Sequence, residues 1–223
     1  MCKAIGKCSL KTGFTLIELL IVVAIIAILA LIAVPNFLEA QTRSKVARIK
    51  GDLRTLATGL EAYHTDNNAY PPGVFNPAQK LGPASIENYI PLTTPVSYLT
   101  KPPINEPFTP ESGFLRCDGT WVPRPWGHDY YFYWRLDGPF VQFFHLNPIR
   151  DAWLLRSVGP DRRAEGKLID AVCDSAATGE FKSKDGCVGI NLLYDPTNGT
   201  VSRGDLGRCG GQVPSVAERH INR

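Results

Sequence analysis

The residue types that most often carry catalysis are scattered along this chain. Its histidines lie far apart, without the spacing of a metal-ligand set. The sequence has no Gly-x-Ser-x-Gly elbow, no phosphate-binding glycine loop and no His-Glu-x-x-His pair. The four histidines are His64, His128, His145 and His220. The sequence therefore predicts that the protein is not an enzyme and that no histidine holds a metal.

One acidic residue stands in an unusual place. Glu18 is the only charged residue from Phe14 to Val34. A carboxylate inside a membrane costs about 2.5–3.5 kcal/mol on insertion scales and usually has a partner. We expect the apolar run to offer it no partner. Two interpretations stay open, a tolerated charge near the membrane edge or an acid whose partner lies on another molecule.

The element around this acid is a single apolar helix. Its residues from Phe14 to Val34 include none that ends a helix, and Pro35 follows. Such a helix would rise about 31 Å, close to the ~30 Å hydrocarbon core of a bilayer. Lys3, Lys7 and Lys11 precede it without any acid, and cytoplasmic flanks collect such residues. We expect one membrane-spanning helix, a cytoplasmic N-terminus and an exported remainder.

The residues at the start of this helix resemble a known family. Gly13-Phe14-Thr15-Leu16-Ile17-Glu18, followed by an apolar helix with Pro35 at its end, is similar to the N-terminal signature of type IV prepilins and type II secretion pseudopilins. The resemblance implies cleavage after Gly13 by a membrane prepilin peptidase and N-methylation of Phe14. It also implies assembly into a filament core, with Phe14, Glu18 and Pro35 as assembly residues. There Glu18 would pair with the Phe14 amine of a neighbouring subunit.

The resemblance divides the chain into three parts. These are a leader over 1–13, a long helix over 14–66 and a globular β-rich domain over 67–223, the helix being membrane-spanning over 14–34 and amphipathic over 36–66. The chain carries 24 Lys and Arg and 21 Asp and Glu, for a net charge of +3. Loss of the leader removes three lysines and no acid, so the mature chain balances 21 basic against 21 acidic residues. Net charge therefore gives no argument for a nucleic-acid partner.

The second half of the long helix shows one apolar stripe. Its members recur at steps of three and four residues, which is the period of one helix face. They are Val46, Ile49, Leu53, Leu56, Leu60 and Tyr63. We expect this stripe to carry the globular domain. Gly51 and Gly59 interrupt the helix, each at a cost of ~1 kcal/mol of helix propensity, and permit close packing or local unwinding there.

Beyond the helix, the pattern predicts a small antiparallel sheet and an α+β fold of the type IV pilin-like class. Turn residues end the helix near 65–68, and 91–110 is expected to be loop. The predicted elements are a short helix at 85–92, strands at 130–136, 140–144 and 153–158, and a hairpin of 188–194 with 200–201 around Asn198-Gly199. Asn67-Asn68-Ala69-Tyr70-Pro71 and Pro125-Trp126-Gly127 resemble segments of the major pseudopilins of type II secretion.

Four cysteines remain after removal of the leader, which takes Cys2 and Cys8. Disulfides persist in exported domains, and four cysteines allow three connectivities. We favour Cys173 with Cys187, the pair nearest in sequence, which leaves Cys117 with Cys209. A zinc site is disfavoured because the sequence has no Cys-x-x-Cys spacing.

One loop is a weak calcium candidate. Ser157-Val158-Gly159-Pro160-Asp161 resembles the start of the calcium-binding loop of secretion-system major pseudopilins. Calcium takes six to eight oxygens. Asp161, Glu165, Asp170 and Asp174 offer carboxylates, but Arg162 and Arg163 intrude and a dense acidic run is missing. A solvated charged loop is the favoured interpretation, and no cofactor is otherwise expected.

Two classes of function are compatible with these observations. The favoured one is a structural subunit of a type II secretion pseudopilus, in the bacterial inner membrane with its C-terminal domain in the periplasm, assembled into a periplasmic or surface filament. Its partners would be copies of itself, the prepilin peptidase, the inner-membrane assembly platform and minor pseudopilins. Within the same structural class, the alternative is a type IV pilin, major or minor, of adhesion, motility or DNA uptake. The second class is a membrane-anchored binding domain, such as a minor tip subunit that recognises DNA, a surface or a secreted cargo.

Overall fold

The computed structural model describes residues 14–76, 85–100, 106–108, 113–115, 121–123, 130–162, 168–181, 193–195 and 204–222. The chain divides into two compact units, Met1–Gln41 and Thr42–Arg223. The helices are α1 (Leu16–Asn67), α2 (Pro139–Phe143), α3 (Leu168–Thr178) and α4 (Ser215–Ile221). The strands are β1 (Gly113–Leu115), β2 (Trp121–Pro123), β3 (Phe132–Arg135), β4 (Ala152–Ser157) and β5 (Leu206–Gly211).

The first unit is described from Phe14 onward, as the N-terminal part of α1. Its large apolar residues are exposed along the whole apolar run, with Ile26 58% exposed and Leu31 79% exposed. Pro35 lies inside α1, so the apolar run ends there but the helix does not. A proline in a helix interior removes one backbone hydrogen bond and can kink the helix without ending it.

The second unit is built around a three-stranded antiparallel sheet in the order β3-β4-β5. Phe132 of β3 pairs with Arg156 of β4, and Leu154 of β4 pairs with Cys209 of β5. All six residues of β4 are buried, so this central strand is covered on both faces. β1 and β2 form a separate antiparallel pair.

One face of the sheet packs on the second half of α1. The predicted stripe is buried there: Val46, Ile49, Leu53, Leu56 and Leu60 are all at most 8% exposed. Trp153 of β4 donates its indole N–H to Glu61 of α1 at 2.9 Å. The predicted amphipathic helix and its role as the support of the globular part are confirmed.

Hydrogen bonds from aromatic residues hold the same helix along its length. Asp52 accepts the Tyr131 hydroxyl at 2.7 Å, and Asp66 accepts the Tyr98 hydroxyl at 2.9 Å. Glu61 accepts the Tyr70 hydroxyl at 2.9 Å in addition to its bond with the tryptophan. Hydrogen bonds to ionised acceptors are stronger than neutral ones. The acids of α1 therefore fix its rotation and register against the sheet.

The other face of the sheet is covered by α3 and α4. An added Cβ at Gly207 of β5 would come within 2.9 Å of Ile221 of α4 and 3.6 Å of Leu168 of α3. On this face, Arg156 forms a buried ion pair with Asp205 at 3.0 Å. Its guanidinium also lies 4.4 Å from the Phe132 ring centroid. Burial of the charge is offset by the ion pair and the aromatic contact.

The α+β class is confirmed, as a long helix followed by a small antiparallel sheet. The predicted strands at 130–136 and 153–158 correspond to β3 and β4, and residues 86–92 form two 3-10 turns. The predicted strand at 140–144 is wrong, because this segment is the helix α2. Gly138 is its extended N-cap and Pro139 its first residue, a position where the fixed φ of proline favours a helix start.

Other elements were not predicted. The strands β1 and β2 lie between the predicted loop and Pro125, where no element was predicted, and α3, β5 and α4 also had no counterpart in the prediction. Most of the predicted hairpin at 188–201 lies outside the described residues, and its Leu193 forms an isolated parallel bridge with Asp205.

Candidate assembly and processing site

The predicted cleavage position lies just ahead of the start of α1. Phe14 and Thr15 precede the first helical residue, Leu16, and the Phe14 side chain is 73% exposed. Gly13 and the rest of the predicted leader are outside the described residues. Backbone that lies ahead of a helix and is exposed is more accessible to a protease than backbone within it. The geometry is compatible with cleavage on the N-terminal side of Phe14, which stays a prediction.

Glu18 and Thr15 form a reciprocal cap at the start of α1. The Glu18 carboxylate accepts the Thr15 backbone N–H at 2.9 Å and the Thr15 hydroxyl at 2.6 Å. In return, the Glu18 backbone N–H donates to the Thr15 hydroxyl oxygen at 3.3 Å. This is a capping box, in which the cap and the third helical residue each satisfy the other's backbone N–H.

The capping box changes one part of the sequence analysis. The apolar run was expected to supply no partner for Glu18, but Thr15 donates to its carboxylate twice. The Thr-x-x-Glu spacing is a known sign of a helix start and could have been recognised in the sequence. Thr15 supplies no positive charge, so the ionised carboxylate still has room for a cation. The assignment of the Phe14 amine as that cation remains a prediction.

The segment that follows presents an apolar surface on all sides. By length and composition α1 could cross a membrane. Every large apolar side chain from Leu16 to Val34 is at least 46% exposed. A helix that is apolar all round is buried in a lipid bilayer or among other protein. Lipid or neighbouring helices must therefore cover this segment.

The predicted calcium loop is described only in part. Among the described residues no group of three or more His, Cys, Asp or Glu side chains could hold a metal ion. Asp161 is described, whereas Glu165 and the side chain of Asp170 are not. The described donor set does not by itself fit calcium, because that ion takes six to eight oxygens. Calcium binding stays a prediction.

The first residues of the predicted calcium loop are hydrogen-bonded to an acid that the sequence analysis missed. Glu106 is 2% exposed and accepts the Ser157 hydroxyl and, at 2.6 Å, the Val158 backbone N–H. Gly159 adopts a φ of +74°, and its ideal Cβ would lie 2.5 Å from the Gly204 carbonyl oxygen. A side chain is excluded there, so glycine is required at this position.

Each predicted disulfide has one described cysteine and one outside the described residues. Cys173 of α3 and Cys209 of β5 are buried, and Cys117 and Cys187 lie outside the described ranges. Burial raises the pKa of the Cys209 thiol to about 12. As a thiol it would be protonated and unreactive at neutral pH. Both predicted disulfides stay predictions.

Comparison with known proteins identifies a known motif in the N-terminal segment. Residues 8–34 match the model of the prokaryotic N-terminal methylation motif. The type IV major pilin PilA of Myxococcus xanthus is 52% identical over 58 residues, 26% of each chain. The type II secretion system core protein G of Pseudomonas aeruginosa is 44% identical over 61 residues, 27% of this chain and 43% of the relative. These matches thus span less than half of each relative's length.

A longer match extends into the globular part. The type II secretion system core protein G of Vibrio cholerae is 30% identical over 138 residues, which is 61% of this chain and 80% of that relative. No solved structure matches the chain. Together with the prepilin motif and the α+β arrangement, this coverage decides the family. The chain belongs to the type IV prepilin-like proteins, in the family of type II secretion system core protein G, the major pseudopilins.

Proposed function

We propose that the chain is a structural subunit of a type II secretion pseudopilus that is matured by a prepilin peptidase and polymerises through its apolar helix to support protein export. The observation that carries this proposal is the start of α1. An apolar surface exposed on all sides there contains one acid, Glu18, fixed by Thr15 next to the exposed Phe14. In an assembly of such helices, the apolar surfaces bury one another and the acid can neutralise an amine of a neighbouring copy.

Processing sets the charge of this site. Cleavage after Gly13 would create a cationic amine at Phe14 and remove the three leader lysines. Neutralisation of that amine within the same low-dielectric region by a carboxylate is favourable only when the two groups are close. The proposed partner is the Glu18 of a neighbouring subunit. In the membrane, the N-terminus would stay on the cytoplasmic side and the residues after α1's apolar run would lie in the periplasm.

The extent of the similarity supports secretion over the pilus alternative. The M. xanthus pilin matches 58 residues, whereas the V. cholerae core protein G matches 138. The longer match reaches the globular part. The alternative of a type IV pilin in adhesion, motility or DNA uptake rests on the N-terminal similarity alone. The prepilin peptidase, the inner-membrane platform and minor pseudopilins are the partners of the proposed pseudopilus.

Intact-mass analysis of the membrane form tests the processing step. We expect a mature chain that begins at Phe14 and is one methyl group heavier than its sequence. The variant Gly13→Ala should accumulate as the uncut precursor, and Ala4→Gly, a small change elsewhere in the leader, should be cut normally. A mature chain that begins at another residue, or normal cutting of Gly13→Ala, would overturn the proposal.

A separate assay tests assembly. Filaments sheared from cells, or cross-linked multimers in membranes, should contain the mature wild-type chain. Deletion of the host's secretion genes should remove these multimers, while deletion of pilus-retraction genes should leave them. The reverse pattern would favour the pilus alternative.

A further inference from the structure

The first residues of the predicted calcium loop present hydrogen-bond donors to one buried acid. The Glu106 carboxylate accepts the Ser157 hydroxyl and, at 2.6 Å, the Val158 backbone N–H. The Ser157 hydroxyl oxygen in turn accepts the Gly159 backbone N–H at 3.4 Å. Glu106 is 2% exposed and Ser157 is 0% exposed, so both are shielded from bulk water. Three donors therefore converge on this carboxylate, the third through the serine hydroxyl.

A tight turn holds these donors together. Gly159 has a φ of +74°, and the Arg162 backbone N–H donates to the Gly159 carbonyl at 3.2 Å. Successive backbone N–H groups in a turn form concavities that bind anions. The loop start has this form, and the chain supplies the anion itself.

The acid comes from a segment that is fixed independently of the loop. Phe108, two residues after Glu106, is 4% exposed. The Lys45 Nζ atom of α1 lies 5.5 Å from the centre of the Phe108 ring. Residues 106–108 therefore connect α1 with the end of β4, and the buried phenylalanine keeps the carboxylate at the loop start.

Calcium would need the opposite chemistry. It binds six to eight oxygen acceptors, whereas N–H and O–H protons carry partial positive charge. Of the predicted ligands with described side chains, Asp161 lies in the loop, and Asp174 of α3 accepts the Asn147 amide at 3.2 Å. Within the described residues no group of three or more His, Cys, Asp or Glu could hold a metal ion. These residues thus fit an anion at the loop start and do not fit a cation.

From this disagreement we infer that Glu106 takes the structural role that the resemblance implied for calcium. Its carboxylate closes the start of the loop, and the globular part folds and stays folded without a bound cation. The inference concerns the globular part alone and does not rest on the proposed polymerisation. A chain stabilised in this way keeps its stability where calcium is scarce or variable.

The first test compares wild-type protein with and without calcium. In detergent-solubilised full-length protein, the Tm of the globular part, followed by tryptophan fluorescence, should be the same in EGTA and in calcium chloride. A bound ion present at 100-fold above its dissociation constant would raise Tm by about 5–10 °C. Magnesium chloride at equal concentration is the control for a general salt effect. A rise of Tm in calcium but not in magnesium would overturn the inference.

The second test removes the carboxylate. Glu106→Ala leaves the Ser157 hydroxyl and the Val158 N–H buried without this acceptor, and should lower Tm by about 5–10 °C. Glu218→Ala, at an exposed acid of α4, is the matched control and should change Tm by less than about 2 °C. A wild-type Tm for Glu106→Ala would show that the carboxylate does not hold the loop.

A small anion distinguishes an anion site from a cation site. Sodium acetate should restore part of the Tm that Glu106→Ala loses and should not change that of Glu218→Ala, whereas calcium chloride should restore none. Restoration by calcium, or none by acetate, would overturn the inference. If Glu106→Ala does not fold, Glu106→Gln keeps the side-chain shape and one acceptor oxygen. It should show a smaller loss of Tm that calcium does not restore.

Discussion

The two parts of α1 belong to one helix but meet different surroundings. In residues 16–41 every side of the apolar run is exposed, whereas residues 42–67 bury one stripe and leave the other side polar. Ile26 is 58% exposed and Ile49 is 0% exposed, although the two side chains are identical. Residue type alone therefore does not tell which isoleucine stabilises the fold. Periodicity does, since only the second part has polar residues between its apolar positions.

The largest expected difference between the two parts appears at alkaline pH. Burial raises the pKa of Tyr89 and Tyr133 well above the ordinary value of 10.0. These groups bind protons more tightly in the folded state, so their stabilisation is complete below pH 10 and is lost as the pH rises above it. Above pH 10, each of these two hydroxyls lowers the free energy of unfolding by about 1.4 kcal/mol per pH unit. In detergent, a red shift of tryptophan fluorescence should show the globular part unfolding, whereas far-ultraviolet circular dichroism should show that the helix of the apolar run persists.

Tryptophan emission without a red shift up to pH 12 would contradict this. Tyr89→Phe is a useful control, since it removes one titrating hydroxyl and the bond that this hydroxyl donates to the Tyr131 carbonyl at 2.7 Å. Its stability should be lower at neutral pH and fall less steeply above pH 10.

Glu18 tests the apolar part. If it neutralises the Phe14 amine of a neighbouring subunit, Glu18→Leu leaves a buried charge unpaired, at a cost of about 3–5 kcal/mol to assembly. We expect the variant to be produced, cleaved and inserted, yet poorly incorporated beside wild-type subunits in a mixed cross-linking assay. Glu39→Leu, outside the apolar run, is the control. Equal incorporation of Glu18→Leu would remove the physical argument for this residue in assembly.

The isoleucine pair tests the comparison directly. Ile49→Ala should destabilise the globular part by about 2–5 kcal/mol, because it removes buried methyl groups and leaves a cavity. Ile26→Ala should change the free energy of unfolding of that part by less than about 0.5 kcal/mol. Denaturant unfolding, followed by tryptophan fluorescence in detergent, measures both. Similar losses for the two variants would show that the apolar run contributes to the stability of the globular part.

The smallest effect is expected at the start of α1. Thr15→Ala removes the hydroxyl of the capping box and should cost about 0.5–2 kcal/mol of helix stability. Thr15→Ser keeps the hydroxyl and should behave as wild type. Amide hydrogen exchange over residues 16–20 in detergent reports this directly. Equal protection in Thr15→Ala would mean that the lipid or detergent environment, not the cap, defines the first turn.

The sequence could predict those features that depend on local patterns. The apolar run, its single acid and the stripe of α1 follow from composition and a period of 3.6 residues. The strands β3 and β4 follow from their short runs of aromatic and other apolar residues. In contrast, the aromatic segment at Phe140 resembled a strand but forms α2, because Gly138 and Pro139 start a helix in the connection between β3 and β4.

The strand β5 shows why other features could not be predicted. Its sequence, Leu206-Gly207-Arg208-Cys209-Gly210-Gly211, is rich in glycine and has low strand propensity. The neighbours explain the glycines: an ideal Cβ at Gly210 would lie 2.6 Å from the Trp153 ring, and one at Gly207 would lie 2.9 Å from Ile221. Close packing selects these residues, and the partners lie far away in the sequence.

By itself the sequence determined where the chain meets lipid or other apolar helices and where it turns one face to a globular part, since both follow from hydrophobicity along a single helix. Only the tertiary structure decided which acids have partners far away along the chain. Glu61 lies 92 residues before Trp153, Glu106 lies 51 before Ser157, and Arg156 pairs with Asp205, which directly precedes β5. A buried charge is stable only beside its partner, and that proximity depends on how the sheet, α1 and the loops pack together.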